Sequence, residues 1–347
     1  KKSAARALLL TSQTATCGSY SYLAKMMNNP SSESDAIAAS LPLVVPPLST
    51  PSLDVTGRIF LVTGGTQGLG LEIAAQLKRN GATAIVLVSR SPNRVESAVD
   101  RLDDFGDRED DGTSSSSQSR MQCVVKFVRA DLSDAADASS VVSRAVELLS
   151  LESSLPKPIA ISGVVNAAAT TSRGNLLTTS ADAFDKQFAT NVRGPFLVTQ
   201  AAAKHMMDLS VPRGLGSIVN ICSVAAKGGA PFILGYSCAK SALVTLTKNN
   251  AAELAPRGIR VNGINMGWCL TENEHKLQSD VHGDEEWWRE ADGGVPLGRI
   301  LRPADVAATA LFLLSGASVM MTGSILDIHP EYPCGMLSLN TEDNPDR

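Results

Sequence analysis

The sequence predicts an α/β fold, a doubly wound parallel sheet of about seven strands with helices on both faces. From Arg58 onward, short apolar runs rich in β-branched residues alternate with amphipathic stretches. This pattern is typical of strands that are buried on both faces. The first run breaks into four glycines within residues 64–70, as expected where a strand turns directly into a helix. Because crossovers between parallel strands are right-handed, a doubly wound sheet follows.

Six of the apolar runs are assigned as strands, and amphipathic stretches between them as helices. The first helix is predicted over residues 70–81 and ends at Gly81, and further helices are predicted over 139–149 and 304–314. The predicted strands are, in chain order, 58–63, 83–89, 123–132, 159–168, 216–223 and 259–265.

Both ends of the chain and one internal stretch lie outside this pattern. Residues 1–53 are rich in Ser, Thr and Ala, have no acid before Glu33, and end in a proline-rich linker. That composition indicates either an organelle transit peptide or a disordered tail. Acids and serines dominate residues 103–119, which we interpret as a disordered insertion. We therefore expect one α/β domain over 54–335 and a C-terminal tail at 336–347.

The composition excludes several classes of function. The net charge of −4 and the lack of a basic stripe argue against a nucleic-acid partner. No uninterrupted apolar run reaches the roughly 18 residues that a membrane span needs. We expect a soluble intracellular protein, in a mitochondrial or plastid matrix if the N-terminus is a transit peptide and otherwise in the cytoplasm. The six cysteines form no CxxC pair, so neither a disulfide framework nor a metal site is expected.

The glycine-rich turn has the spacing TGxxxGxG. Gly64, Gly68 and Gly70 permit a tight turn between strand and helix. They also let backbone N–H groups approach a pyrophosphate at the positive end of the helix. Because a strand precedes the turn and a helix follows it, the motif predicts a dinucleotide site.

The end of the second predicted strand discriminates between the two nicotinamide cofactors. An acid at this position holds the ribose 2′-OH, whereas an arginine accommodates a 2′-phosphate. The sequence has Ser89, Arg90 and Ser91 here and no acid. A guanidinium can bind a phosphate bidentately, which favours NADP(H) over NAD(H). Arg94 is expected on the solvent face of the next helix.

A reactive constellation follows in residues 220–244. Tyr236 and Lys240 are four residues apart and share one face of a predicted helix. A free phenol has a pKa of about 10, and a nearby ammonium would lower it and fit the tyrosine for proton transfer. Ser223 ends the preceding predicted strand and could hydrogen-bond the oxygen that gains or loses this proton.

These motifs, in this order, resemble the short-chain dehydrogenase/reductase family in its compact single-domain form, over roughly residues 56–330. The resemblance implies a Rossmann-type fold and an NAD(P)-dependent oxidoreductase. In the family's terms, Tyr236 is the general acid/base and Ser223 positions the substrate carbonyl. Lys240 lowers the tyrosine pKa and holds the nicotinamide ribose, and Asn191 in "NVRGPF" keeps that lysine in contact with a water relay.

The resemblance also implies a set of cofactor contacts, with Asp131 at the adenine. Besides the three motif glycines, Ser89, Arg90, Tyr236 and Lys240, the implied contacts are Thr66, Gln67, Leu69, Asp131, Leu132, Asn166, Ala167, Ala168, Gly267 and Thr271.

Two segments depart from the family pattern. Ala167 and Ala169 stand where the family motif NNAG has its second Asn and its Gly, which is expected to alter packing beside the cofactor. Met266 stands where the family has the proline of a Pro-Gly pair, so the loop over the nicotinamide is expected to be set differently. Neither departure affects the four catalytic residues that the resemblance implies, Asn191, Ser223, Tyr236 and Lys240.

Residues 268–300 correspond to the family's mobile substrate lid and contain all three tryptophans. The tryptophans could stack on a substrate, but we expect at least one of Trp287 and Trp288 to anchor the lid by apolar burial. No positive clamp for an anionic substrate is visible. This favours a neutral, polyol-like substrate or a small carbonyl or alcohol.

The leading hypothesis is an NADP(H)-dependent carbonyl reductase or alcohol dehydrogenase. One alternative is a non-catalytic dinucleotide-sensing protein of the same fold, against which the complete catalytic set argues. Another is an isomerase or dehydratase that recycles its cofactor. The resemblance also implies a homodimer or homotetramer packed through the family's fourth and fifth helices, which correspond here to residues 183–207 and 237–255.

Overall fold

The computed structural model describes residues 52–104 and 123–330 of the 347-residue chain. Almost all of the predicted N-terminal extension, most of the predicted insertion at 103–119 and the whole C-terminal tail lie outside the described residues. Within the described ranges, no helix has the length and hydropathy to cross a membrane. The same ranges contain no cluster of His, Cys, Asp and Glu suited to a metal ion.

Seven parallel strands form one sheet in the order β3-β2-β1-β4-β5-β6-β7, which confirms the predicted doubly wound parallel sheet. Among the strands of residues 52–104 and 123–330, the seventh alone was not predicted from the sequence. It has four residues, lies at the edge of the sheet and is only partly buried, so its apolar signal is weak. The strands are β1 (Ile59–Thr63), β2 (Ala84–Ser89), β3 (Val124–Arg129), β4 (Ile161–Asn166), β5 (Ser217–Ile221), β6 (Arg260–Met266) and β7 (Ile325–Ile328).

Helices connect these strands and cover both faces of the sheet. The predicted helix over 70–81 begins two residues earlier and ends at Arg79, and the other two predicted helices are also found. The helices are α1 (Gly68–Arg79), α2 (Val95–Asp104), α3 (Ala135–Ser150), α4 (Ala181–Phe188), α5 (Gly194–Asp208), α6 (Leu234–Leu254), α7 (Glu272–His282), α8 (Trp287–Gly293) and α9 (Pro303–Leu314).

The hydrophobic core has two layers, one on each face of the sheet. Along β1, Ile59 and Leu61 belong to the layer that packs against α3, α5 and α6. Phe60 and Val62 belong to the layer that packs against α1, α2 and α9. All four side chains are at most 2% exposed, as the alternation of a strand buried on both faces requires.

The strand order reverses between β1 and β4, so the chain leaves these neighbouring strands in opposite directions. In open α/β sheets, ligands bind in the crevice that this reversal opens at the carboxyl ends of the strands. Thr63, the last residue of β1, organises this crevice. Its hydroxyl accepts hydrogen bonds from the N–H groups of Ala167 and Ala168, both at 3.1 Å.

Candidate active site

The turn between β1 and α1 is packed too tightly for side chains at two of its glycines. A Cβ on Gly70 would lie 2.4 Å from the carbonyl oxygen of Gly64, and a Cβ on Gly64 would lie 3.0 Å from the backbone of Ala168. Gly64 is therefore required by the contact between this turn and the loop after β4, and Gly70 by the tightness of the turn itself.

Gly68 has a different role in the same turn. Its φ is +51°, and a Cβ here would meet nothing closer than Thr271 at 3.9 Å. The left-handed φ therefore favours glycine here, and the start of α1 lies beside Thr271, which is distant in the sequence. Gln67 makes no side-chain hydrogen bond to cap α1, so the N–H groups of the first turn remain available to an anion. These residues fit the pyrophosphate of a dinucleotide.

Arg90 and Asp131 lie at the neighbouring strand ends. Arg90 follows β2 directly and is exposed, and Asp131 follows β3. Burial tends to raise the pKa of Asp131, but hydrogen bonds from Ser133 and the positive charges of Arg90 and Lys186 lower it below its ordinary value. This carboxylate therefore stays charged at neutral pH and can accept a hydrogen bond.

Tyr236 lies near the start of α6 and is hydrogen-bonded to the side chains of Ser223 and Thr171. Burial raises the pKa of the phenol to about 12, although these two hydrogen bonds act in the opposite direction. Charges at Cys222 and Glu274 also act to raise it. The phenol is therefore fully protonated at neutral pH. The expectation of a lowered phenol pKa is wrong for this structure, because burial outweighs the other effects.

Lys240 lies one turn further along α6 and is 2% exposed. Its Nζ donates to the carbonyl oxygen of Ile221 at 2.6 Å and lies 5.6 Å from the centre of the Tyr236 ring. Burial lowers the pKa of this ammonium to about 8. The lysine is thus held in place by the end of β5, and its charge is costly to bury.

Two serines on α6 hold the turn that carries Ser223. This residue lies just before a short 3₁₀ turn (Val224–Lys227) and accepts a hydrogen bond from the N–H of Ala225 at 3.2 Å. Ser237 Oγ donates to the carbonyl of Ala225 at 2.6 Å, and Ser241 Oγ donates to that of Ala226 at 2.5 Å. Because α6 also carries Tyr236, these bonds fix Ser223 relative to the phenol. The sequence analysis did not identify either serine.

Asn191 lies in a single π-helical turn (Ala189–Arg193) between α4 and α5, a distortion common at functional sites. Its side chain is fully buried. The Oδ1 atom accepts from the N–H of Thr170 at 3.0 Å, and Nδ2 donates to the Thr170 carbonyl at 2.8 Å. Asn191 thereby fixes the loop after β4, and the next residue in that loop, Thr171, contacts Tyr236. The sequence analysis missed Thr171.

Asn166, at the end of β4, belongs to a buried chain of polar side chains. Its Nδ2 donates to Asn220 Oδ1 at 2.8 Å and to Thr199 Oγ1 at 3.2 Å. Asn220 in turn donates to Thr247 Oγ1 at 2.8 Å. Asn166 Oδ1 is buried and has no hydrogen-bond partner among the described residues.

Residues 268–300, the predicted lid, are anchored by one tryptophan and carry an acid whose charge acts on the phenol. Trp287 is 4% exposed and packs with Val295 and Ile300, which confirms that a lid tryptophan serves as an anchor. Trp268 stacks on it, with ring centres 5.2 Å apart. The indole N–H of Trp268 donates to Glu274 Oε1 at 2.8 Å. The negative charge of Glu274 acts to raise the pKa of the Tyr236 phenol.

The predicted site residues collect at the carboxyl ends of β1 to β6. Buried Thr66 and half-buried Leu69 support the glycine turn from the core side, and Leu132 is buried below Asp131. Gly267 donates its N–H to the Ile328 carbonyl at 2.9 Å, which ties the loop after β6 to β7. Grouped by the strand that they end or follow, the predicted site residues are those at β1 (Gly64, Thr66, Gln67, Gly68, Leu69, Gly70), β2 (Ser89, Arg90), β3 (Asp131, Leu132), β4 (Asn166, Ala167, Ala168), β5 (Ser223) and β6 (Gly267, Thr271).

Known proteins match this chain over most of its length. Residues 64–329 match a family profile described as enoyl-(acyl carrier protein) reductase. The 2-(S)-hydroxypropyl-CoM dehydrogenase 3 of Xanthobacter autotrophicus is 31% identical over 269 residues, which cover 77% of this chain and 93% of that protein.

Two solved structures with bound cofactors also match. A protein assigned as a 2-deoxy-D-gluconate 3-dehydrogenase, from Agrobacterium tumefaciens, holds NADP. It has a TM-score of 0.63 and 26% identity, and the match covers 81% of this chain and 97% of that one. A xylitol dehydrogenase with bound NAD+ has a TM-score of 0.65 and 26% identity, with coverages of 79% and 98%. The two structures thus hold different nicotinamide cofactors.

Proposed function

This chain belongs to the short-chain dehydrogenase/reductase family and is an NAD(P)-dependent oxidoreductase, and we propose that it is an NADP(H)-dependent reductase of carbonyl compounds. The observation that carries the proposal is the placement of Tyr236. Its phenol contacts Ser223 and Thr171 and lies one helical turn from Lys240, at the end of the sheet where the glycine turn opens.

We assign the proton chemistry to Tyr236. When bound, the nicotinamide supplies the hydride that a carbonyl carbon accepts. The phenol, with a pKa near 12, is protonated at neutral pH and so can donate its proton to the carbonyl oxygen. An alkoxide forming on that oxygen is a stronger base than the phenolate, so the transfer is favourable. In the reverse direction, alcohol oxidation, the same residue would accept the proton as the phenolate.

Ser223, Lys240 and Asn191 serve the phenol in different ways. The Ser223 hydroxyl hydrogen-bonds the substrate oxygen and holds it beside Tyr236. The ammonium of Lys240, fixed on the Ile221 carbonyl, stabilises the phenolate that remains after proton transfer. Asn191 is a positioning residue, since it acts through the backbone of Thr170 on the loop that carries Thr171.

Arg90 supports the choice of NADP(H) over NAD(H). It is exposed at the end of β2, where no acid competes for a ribose hydroxyl, and a guanidinium matches the geometry of a 2′-phosphate. The matching structure with bound NADP is consistent with this choice, although the xylitol dehydrogenase holds NAD+.

Glu274 favours an uncharged, hydroxylated carbonyl compound such as a ketose as the substrate. Trp268 and Gln278 both donate to its Oε1, at 2.8 and 2.7 Å, which leaves Oε2 without a hydrogen bond among the described residues. A carboxylate at this place can accept a hydrogen bond from a substrate hydroxyl. It repels a substrate carboxylate, phosphate or sulfonate.

We also infer a homodimer or homotetramer through α5 and α6. Phe196 on α5 is 39% exposed, although it is a large apolar side chain. Size-exclusion chromatography with light scattering measures the assembly directly, and a monomer would contradict this inference.

The test is NADPH oxidation over a panel of ketoses and small ketones, measured for the wild type, Tyr236→Phe and Arg90→Gln. We expect turnover in the wild type, loss of turnover with retained NADPH binding in Tyr236→Phe, and weakened NADPH binding in Arg90→Gln. Tight NADPH binding without turnover on any compound would favour a dinucleotide sensor. Substrate loss without net NADPH consumption would identify an isomerase or dehydratase.

A further inference from the structure

A second arginine lies beside Arg90, on the neighbouring strand. Arg129 is the last residue of β3, and in the β2–β3 register it is paired with Ser89, the residue just before Arg90. Its Nε donates to the carbonyl oxygen of Arg90 at 3.3 Å. The guanidinium of Arg129 therefore lies across the end of β2. The sequence gives no hint of this placement, because the two arginines are separated by a helix and by residues 105–122.

The backbone of Arg129 is itself held in place. Arg144 on α3 donates from Nη2 to the Arg129 carbonyl oxygen at 2.6 Å. This bond fixes the end of β3 from the helix side, as the strand ladder fixes it from β2. The backbone that carries the Arg129 guanidinium is thus fixed from two sides, so the side chain needs little ordering to bind a ligand.

Arg90 and Arg129 are two cationic residues at neighbouring strand ends, joined by the hydrogen bond from Arg129 Nε to the Arg90 carbonyl. Both side chains are exposed, and among residues 52–104 and 123–330 neither forms an ion pair with an acid. Asp131, on which the positive charge of Arg90 acts, uses its Oδ1 to accept from the N–H and hydroxyl of Ser133 at 2.9 and 2.7 Å. A phosphate bound at these strand ends can accept hydrogen bonds from both guanidinium groups.

We propose that Arg129 is a specificity-determining residue that, together with Arg90, binds the 2′-phosphate of NADP(H). A phosphate monoester carries up to two negative charges and three acceptor oxygens. It can therefore be gripped by two guanidinium groups at once. The inference rests on the proposed NADP(H) preference and adds a contact from a strand that the sequence motif does not include.

The test measures cofactor binding rather than turnover. Dissociation constants for NADPH and for NADH are obtained by fluorescence titration of the wild type, Arg129→Gln, Arg90→Gln and Arg94→Gln. Arg94 is the matched control, since it is also exposed and lies in the turn that follows β2 (Pro92–Arg94). Circular dichroism melting curves verify that each variant is folded.

Arg129→Gln is expected to weaken NADPH binding about tenfold or more, as loss of a charged hydrogen bond does. It should leave NADH binding within about twofold, and Arg94→Gln should change NADPH binding by less than Arg129→Gln. Equal losses for NADPH and NADH would overturn the inference, and so would equal effects of the Arg129 and Arg94 variants. If Arg90→Gln abolishes the NADPH preference while Arg129→Gln does not, the proposed cofactor stands and only Arg129 is excluded. A wild type that does not prefer NADPH would refute the proposed cofactor itself.

Discussion

The buried ammonium of Lys240 leads to a quantitative prediction about stability. Burial lowers its pKa from 10.5 to about 8, so the folded protein holds this proton less tightly than the unfolded chain does. Below pH 8 the lysine is protonated in both states, and folding carries the full cost of burying the charge. As the pH rises from 8 to 10.5, the folded state releases its proton first and the cost disappears. The full cost is about 3 kcal/mol, of which about 1.3 kcal/mol is removed between pH 7 and pH 9.

The perturbation is Lys240→Met, which keeps an unbranched side chain of similar length and removes the charge. It also leaves the Ile221 carbonyl without its donor, at a cost of about 1–3 kcal/mol that does not depend on pH. Only the change with pH is therefore diagnostic. The quantity to compare is the free energy of unfolding of the variant minus that of the wild type. This difference should be about 1.3 kcal/mol larger at pH 7 than at pH 9.

Urea unfolding of the cofactor-free proteins at the two pH values, followed by circular dichroism, measures this difference. Burial raises the pKa values of the thiols Cys222 and Cys269 to about 11 and about 12, and loss of the Lys240 charge would only raise that of Cys222 further. Both thiols therefore stay protonated in the two folded proteins up to pH 9, and their contributions nearly cancel. Lys248→Met, at an exposed position on α6, controls for removal of a lysine from this helix. If the variant and the wild type differ in free energy of unfolding by the same amount at both pH values, Lys240 does not carry a buried charge in the folded protein.

Three further variants test other parts of the site. Tyr236→Phe should lower turnover by about 10²–10⁴-fold while NADPH affinity, measured by fluorescence, stays unchanged; an active variant would assign the proton to another group. Glu274→Gln should raise kcat/KM for ketoacids relative to neutral ketoses, and it should lower the apparent pKa of the pH–rate profile because it removes a negative charge near the phenol. The exposed lid acid Glu285, changed to Gln, should do neither, and equal effects of the two variants would contradict a specific role for Glu274. Thr247→Val should lower the free energy of unfolding by about 1–3 kcal/mol, because Asn220 loses the acceptor of a buried hydrogen bond; an unchanged urea midpoint would contradict this.

Most of the fold could be predicted because its strands are buried on both faces. Such strands read as continuous apolar runs, and β1, β2, β4, β5 and β6 were found in this way. The half-buried edge strand β3 was found because four of its six residues are apolar. The edge strand β7 was missed because it has four residues and is partly exposed, so it resembles a loop. The glycine spacing and the Tyr236–Lys240 pair are local patterns and were therefore visible without the structure.

The electrostatics of the site could not be predicted in the same way. The pairing of Tyr236 with Lys240 suggested a lowered phenol pKa, but burial, a tertiary effect, raises it. Thr171 and Glu274 come from the loop after β4 and from the lid, and only the folded chain brings them to the phenol. Arg129 meets Arg90 through the register between two strands, which no local motif records.

Transfer of deuterium from NADPH labelled at nicotinamide C4 tests the central claim most directly. The wild type and Tyr236→Phe are incubated with the labelled cofactor and a neutral ketose or small ketone, and the product is analysed by NMR. We predict deuterium on the carbinol carbon of the wild-type product, and little or none with the variant. NADPH that binds tightly but never passes its deuterium to a carbonyl carbon would contradict the assignment of this chain as a carbonyl reductase.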